Sequence, residues 1–224
     1  MKTKKILESW DINAKEWINA IETGAIGSRS ITNPAIIEVI KYNKPGKLLD
    51  AGCGEGWLAR SLSELGMKVV GIDGTEKLIE EAKAKSDIPF YTQSFEQIIN
   101  GKTVPESPYD AVVFNFCLYL GSEAQDLLRS IGDLLDGKRL IFIQTLHPIA
   151  FLGDGFQYED QWIEDSWKGL KGSFTSPHRW YFRTMSGWMD TFNRSGLRLL
   201  NMNEPVQKDK TKPSSIIFTL TPND

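Results

Sequence analysis

Apolar positions along the chain alternate between a period of two and a helical period, and that alternation predicts an order of elements. Trp10, Ala14, Trp17 and Ile21 form a helical stripe, so residues 1–44 read as a helical N-terminal extension added to a core. After Pro45-Gly46 the run Lys47 to Ala51 reads as a strand, and Leu58, Leu62 and Leu65 then recur at helical spacing until Gly66. Met67 to Asp73 reads as a second strand. Leu78, Ile79 and Ala82 mark the following helix, which breaks near Asp87 and Pro89 and leaves a short third strand at Pro89 to Thr92. Asp110 to Leu118 is apolar almost throughout, as a parallel strand covered on both faces requires. Ala124, Leu127, Leu128, Ile131, Leu134 and Leu135 predict the next helix, Gly137 its stop, and Arg139 to Thr145 a fifth strand.

Neither period holds from Leu146 to Arg183, where aromatic residues are dense and Gly and Pro interrupt them. This stretch, 146–183, is read as an aromatic-rich cap inserted after the fifth strand. Met185, Trp188, Met189 and Phe192 restore helical spacing up to Gly196. Leu197 to Met202 and Ser215 to Leu220 then read as closing strands, joined by an exposed turn over Lys208 to Pro213. The expected fold is α/β: a doubly wound, mostly parallel seven-stranded sheet with helices on both faces, within one domain spanning 1–224.

Composition narrows the function classes. The 224 residues are 41% hydrophobic, enough for a core without a metal or disulfide staple. Twenty-six Lys and Arg against 29 Asp and Glu give a net charge of -3, which offers no basic field for nucleic acid. Cys53 and Cys117 lack the spacing of a zinc site and read as buried thiols; no metal is expected. No 18-residue apolar run occurs and the first residues lack a signal peptide's apolar core, so a cytoplasmic protein with no membrane partner is the expectation.

The chemistry concentrates at Asp50-Ala51-Gly52-Cys53-Gly54-Glu55-Gly56. A glycine turn between strand and helix lets backbone approach a ligand closely and aims free helix N–H groups at it. A dinucleotide site would want its third glycine at 57, which is Trp57, so pyrophosphate fits poorly and a nicotinamide-dependent oxidoreductase is disfavoured. Asp73, at the end of the second strand, accompanies the turn at the spacing of a ribose-binding acid; its plainer reading is a helix N-cap.

Leu48-Leu49-Asp50-Ala51-Gly52-Cys53-Gly54-Glu55-Gly56 resembles the first signature of class I S-adenosylmethionine-dependent methyltransferases. Val69 to Asp73 is similar to the family's second strand, Asp110 to Phe116 to its fourth, and Leu135 to Leu140 to its turn into the fifth. His147-Pro148, His178-Arg179, Ser195-Gly196-Leu197 and Glu204-Pro205 continue a series seen in small-molecule members, so the likeness runs from about Trp10 onward. It implies S-adenosylmethionine as cofactor and a small-molecule methyl acceptor. By that resemblance Gly52, Cys53 and Gly54 line the methionine part, Asp50 braces the turn and Asp73 binds the ribose. Ser94 and Phe95 stand where the family has an acid and a small neighbour at adenine, and Gly74 replaces an apolar residue packed on the ring. Asn115 and Phe116 face the methionine moiety and the acceptor, as ligands of open α/β sheets lie beyond the strand C-termini.

Several residues keep two readings. Asn115 is equally a satisfied buried amide. Arg29, in Gly27-Ser28-Arg29-Ser30, is either a solvated loop residue or a clamp for the cofactor carboxylate. His147 follows the fifth strand and is a candidate proton acceptor, or else a turn residue before Pro148; His178 is a further candidate with the same plain alternative. Among Phe151, Phe156, Tyr158, Trp162, Trp167, Phe174, Trp180 and Tyr181, most are read as the cap's own core and a minority as pocket lining. Methyl transfer by in-line displacement is the expected reaction, with a non-catalytic S-adenosylmethionine-binding module on the same fold as the alternative.

Overall fold

The computed structural model describes residues 2–153, 156–207 and 211–223. Five strands follow one another through helical crossovers: β1 (Lys47–Ala51), β2 (Lys68–Asp73), β3 (Phe90–Thr92), β4 (Tyr109–Asn115) and β5 (Leu135–Thr145). The crossover helices are α3 (Trp57–Glu64), α4 (Glu76–Lys85), α5 (Phe95–Ile99) and α6 (Glu123–Gly132). With β8 (Leu197–Asn203) and β9 (Ile216–Pro222) they make a seven-stranded sheet in the order β3-β2-β1-β4-β5-β9-β8. All contacts from β3 through β5 are parallel; β9 runs antiparallel to both β5 and β8. The expected doubly wound, mostly parallel sheet is therefore present.

Each inner strand is apolar on both faces because each face meets helices. Leu48, Ala111, Val113 and Phe142 pack with Leu58, Leu62 and Ala82, while Leu49, Val112, Phe114 and Ile143 pack with Leu127, Leu128 and Phe192 of the opposite layer. The last of these lies on α7 (Met185–Arg194). The chain winds outward from β1 through β2 to β3, then returns to place β4 on the other side of β1. Ala51 stands in register with Ile72 and Phe114, so the C-terminal ends of β1, β2 and β4 open at the same level beside this reversal.

Three boundaries differ from the sequence reading. β4 stops at Asn115 rather than Leu118 because Phe116 takes a positive φ of 53° and turns the chain. α6 ends at Gly132, and Leu135 already pairs with Tyr109 in β5; Leu134 and Leu135 are apolar for the strand contact and not for the helix. Residues 1–44 hold two helices, α1 (Lys2–Glu22) and α2 (Arg29–Asn43). The second was unread because Gly27, Ser28 and Pro34 look like loop residues, yet Thr32, Ile36 and Ile40 are buried at helical spacing.

Segment 146–183 has structure of its own among its described residues: a 3₁₀ turn over Pro148–Phe151 and the antiparallel pair β6 (Gln161–Ile163) with β7 (Trp180–Phe182). Residues 154 and 155 of the expected cap, and 208–210 of the expected turn over 208–213, lie outside the described residues; Val206 and Pro213 form an antiparallel bridge beside the latter. Among the described residues no helix is long and apolar enough to cross a membrane.

Candidate active site

A cavity of about 630 Å³ opens at the C-terminal ends of β1, β2 and β4. An open depression of about 840 Å³ over Lys47, Lys68 and Arg60 lies at the other end of the strands, away from the glycine turn.

The glycine turn is held by its neighbours. The Gly52 and Cys53 N–H groups both donate to the Ile72 carbonyl, at 2.8 and 2.9 Å, which ties the turn to β2. Gly52 has φ +77°, and a Cβ there would lie 2.7 Å from Cys117 Cβ, so only glycine fits. Asp73 Oδ2 accepts the Gly54 N–H at 3.0 Å and Oδ1 accepts the Thr75 N–H at 2.8 Å. Both readings of Asp73 thus meet at one carboxylate: it braces the turn, and each oxygen keeps a lone pair for a ligand hydroxyl.

Three carboxylates and two thiols are crowded into little solvent. Burial, followed by the neighbouring Asp73, pushes Asp50 up to about 8, and burial also raises Asp73. Burial lifts the Cys53 and Cys117 thiols well above their ordinary range, so both are neutral packing groups. Glu55, 1% exposed, is ion-paired to Arg60 at 2.5 Å. Asp50 Oδ2 and Asn115 Oδ1 are buried acceptors with no partner among the described residues, and both residues line the cavity. A wall of unmatched acceptors and carboxylates beside a side-chain-free turn fits a ligand bearing ammonium, hydroxyl and sulfonium groups.

Every cofactor position read from the sequence lies on this wall: Arg29, Asp50, Gly52, Cys53, Gly54, Asp73, Gly74, Ser94, Phe95, Asn115 and Phe116. Ser94 caps α5, its hydroxyl accepting the Gln97 N–H while the Gln97 side chain accepts the Ser94 N–H, and so fixes where Phe95 begins. Arg29 is the first residue of α2, not a loop residue, and its guanidinium lies 4.6 Å over the Trp57 ring. The tryptophan that spoils a dinucleotide motif is therefore the platform for Arg29.

Of the two readings of His147, the geometry favours the turn residue over the proton acceptor. His147 does not belong to the cavity wall: Nδ1 accepts the Ile149 N–H at 3.1 Å, capping the 3₁₀ turn, and Nε2 lies 2.7 Å from Glu204 Oε1. With both nitrogens engaged, the ring acts as a structural cap. His178 is also off the wall, buried against Tyr119 and Trp167 with Nδ1 2.8 Å from the Arg179 carbonyl; burial lowers its pKa. Five of the eight cap aromatics, Phe151, Phe156, Trp167, Trp180 and Tyr181, do line the cavity, which is more than the expected minority.

Sequence reasoning missed the α1 side of the site. Leu7, Trp10 and Trp17 line the cavity, and Leu7 Cδ2 sits 2.5 Å from where a Cβ on Gly74 would be. Gly74 is bare because Leu7 occupies that space. Spacing 7, 10, 14, 17 and 21 continues the helical stripe, so Leu7 was legible as an inward residue, though not as a neighbour of Gly74. Tyr119, just past the β4 turn, also lines the cavity and was not singled out.

Comparison with known proteins follows the same lines. The family model for a methyltransferase domain matches residues 34–202. A ubiquinone biosynthesis O-methyltransferase from Pelagibacter ubique is 29% identical over 184 residues, covering 71% of this chain and 73% of its own length. Among solved structures, a magnesium protoporphyrin IX methyltransferase from Synechocystis with bound S-adenosylhomocysteine superposes with a TM-score of 0.68 at 17% identity, covering all of both chains. A 1,6-didemethyltoxoflavin-N1-methyltransferase from Burkholderia thailandensis gives 0.63 at 14% identity, covering 94% of this chain and 87% of its own. At such identities the structures establish the fold, and the family model covers most of the sequence that builds it. The chain belongs to the methyltransferase-domain family and is a class I S-adenosylmethionine-dependent methyltransferase.

Proposed function

We propose that the protein methylates a small, flat, partly apolar molecule enclosed between α1 and segment 146–183. One observation carries this reading: the cavity that holds the glycine turn is continuous with a wall of Trp10, Tyr119, Phe151, Trp167, Trp180 and Tyr181. The acceptors named for the Pelagibacter and Burkholderia relatives are small molecules, and a net charge of -3 speaks against nucleic acid. The chain works as one domain over 1–224, with 1–44 as helical extension and 146–183 as cap. We place it in the cytoplasm, in keeping with two free cysteines.

When bound, S-adenosylmethionine supplies an electrophilic methyl on a sulfonium. The residues contribute position and charge. Gly52, Cys53 and Gly54 give backbone close approach at the methionine part, with Asp50 bracing the turn. Asn115 offers Oδ1 to the ammonium, and Arg29 receives the carboxylate. Asp73 takes the ribose hydroxyls on its spare lone pairs, Gly74, Ser94 and Phe95 border adenine, and Phe116 separates cofactor from acceptor. Aromatic walls exclude water, so much of the rate comes from holding nucleophile and methyl in line. With His147 engaged by Glu204, no base on the wall is assigned to take the acceptor's proton.

Titration calorimetry with S-adenosylhomocysteine should give saturable binding that Asp73→Ala abolishes, and a screen with labelled S-adenosylmethionine should yield a methylated small molecule. Absence of binding, or methyl transfer only to protein or RNA, would overturn this reading.

A further inference from the structure

Arg183 follows β7 and is 4% exposed, at the junction between segment 146–183 and the sheet. Its guanidinium is held on two edges: Nε donates to Thr191 Oγ1 at 3.1 Å, and Nη2 to the Leu120 and Gly121 carbonyls at 2.8 and 2.5 Å. The rings of Tyr181 and Trp188 lie 4.8 and 5.0 Å from its central carbon and fix the plane. Nη1 is buried and has no partner among the described residues.

Nor does its charge have a counter-ion among the described residues. Among the described residues, Arg183 has no carboxylate oxygen within 4.0 Å, whereas the half-buried Arg60 and Lys85 are both ion-paired. Asp160 and Glu123 act on it only from farther away. Burial draws the guanidinium down to about 10, which leaves it charged at neutral pH. Glu164 and Asp165 also face the cavity, but Glu164 is paired to Arg179 at 2.7 Å and Asp165 Oδ1 accepts the Trp167 N–H at 3.1 Å. A desolvated cation whose plane is fixed and whose third edge is unmatched suits a planar anion, because a carboxylate supplies both the missing acceptors and the missing charge.

Arg183, Leu120, Tyr181 and Trp188 all line the cavity. We propose that Arg183 is the anion-recognition residue of the acceptor chamber, and that the methyl acceptor is an aromatic or similarly flat molecule carrying a carboxylate. This rests on the small-molecule reading above and adds its substrate class.

The test loads the wild-type protein with S-adenosylhomocysteine and measures quenching of its tryptophan fluorescence by matched pairs: 4-hydroxybenzoate with 4-hydroxybenzamide, and indole-3-carboxylate with its amide. Each carboxylate should bind about tenfold tighter than its amide, and Arg183→Gln should reduce that preference to about twofold or less while Arg183→Lys retains part of it. Affinity for S-adenosylhomocysteine should stay within about twofold in Arg183→Gln, which separates the acceptor's carboxylate from the cofactor's. The proposal is overturned if the amides bind as well as the carboxylates, if neither carboxylate binds at millimolar concentration, if Arg183→Gln keeps the preference, or if it loses the cofactor product. Should Arg183→Gln fail to fold by circular dichroism, Arg183→Lys decides, and a carboxylate preference undiminished in it overturns the proposal. Failure of the wild-type protein to bind S-adenosylhomocysteine would instead sink the function on which this rests.

Discussion

The two halves of the cavity are built on different physics. At the cofactor end, the backbone N–H groups of three consecutive turn residues, Gly52, Cys53 and Gly54, are tied to the Ile72 carbonyl and the Asp73 carboxylate of the next strand, with glycine at 52, where no side chain fits. At the acceptor end the wall is assembled from α1, the β4 turn and segment 146–183, held by ring packing: Trp167 stacks on Phe174, meets Trp10 edge-on at 4.8 Å and donates to Ser9 Oγ. Local geometry rules the first half and long-range apolar contact the second. The first is therefore intolerant of single atoms, and the second of lost volume.

Gly52→Ala should break the cofactor end most severely, because the added methyl meets Cys117 at a backbone angle that favours glycine. S-adenosylhomocysteine affinity should fall by about a hundredfold or more in calorimetry, while Gly27→Ala, with open space around it, should be silent. A tenfold loss or less would mean that the turn yields. On the other side, Trp167→Ala should cost about 3 kcal/mol of stability, at roughly 2–4 °C of melting temperature per kcal/mol, and weaken cofactor-product binding less than Gly52→Ala does. An unchanged melting curve would deny that aromatic packing holds the acceptor half.

Asp73→Asn tests the acid that serves both turn and ligand, and should weaken S-adenosylhomocysteine binding by about ten- to a hundredfold. Asp50 sharpens the contrast through pH. Held up to about 8 by burial and Asp73, it is neutral at pH 7 and ionises above, and a bound sulfonium favours the ionised form. S-adenosylmethionine affinity should thus rise a few-fold (about threefold) from pH 7 to 9, and the neutral-sulfur product should show less rise. Because the folded-state value is raised, the unfolded chain ionises first: the Asp50 contribution makes stability fall from about pH 4 to 8 and level off beyond, a slope that Asp50→Asn should lessen in pH-dependent melting, leaving the part due to Asp73. Smallest of all, His147→Asn should leave methyl transfer within about twofold, since its ring caps a turn outside the cavity; a tenfold loss with a shifted pH profile would restore it as the base.

Legibility followed the same divide. β1, the glycine turn, β2 and Asp73 lie within 27 consecutive positions, 47–73, where strand, turn and acid have a fixed spacing, so their placement on one wall could be read directly. Arg29 was harder: its helix start looks like a loop until Ile36 and Ile40 are seen to bury against Leu58 and Leu62. For His147 the sequence left open a base or a turn residue before Pro148, and the geometry favours the turn; Glu204, its partner, is 57 positions away and could not be read beside it.

By itself, then, the sequence determined the order of strands and helices, the glycine turn and the acid that follows it, because periodicity, turn chemistry and short spacing are local properties of a chain. The tertiary structure alone decided that Leu7 fills the space above Gly74, that Trp57 carries Arg29, and that Arg183 is buried beside Tyr181 and Trp188 without a counter-ion among the described residues. The first two contacts join residues 67 and 28 positions apart, and the third depends on which neighbours are missing; neither fact is written in any window of the sequence.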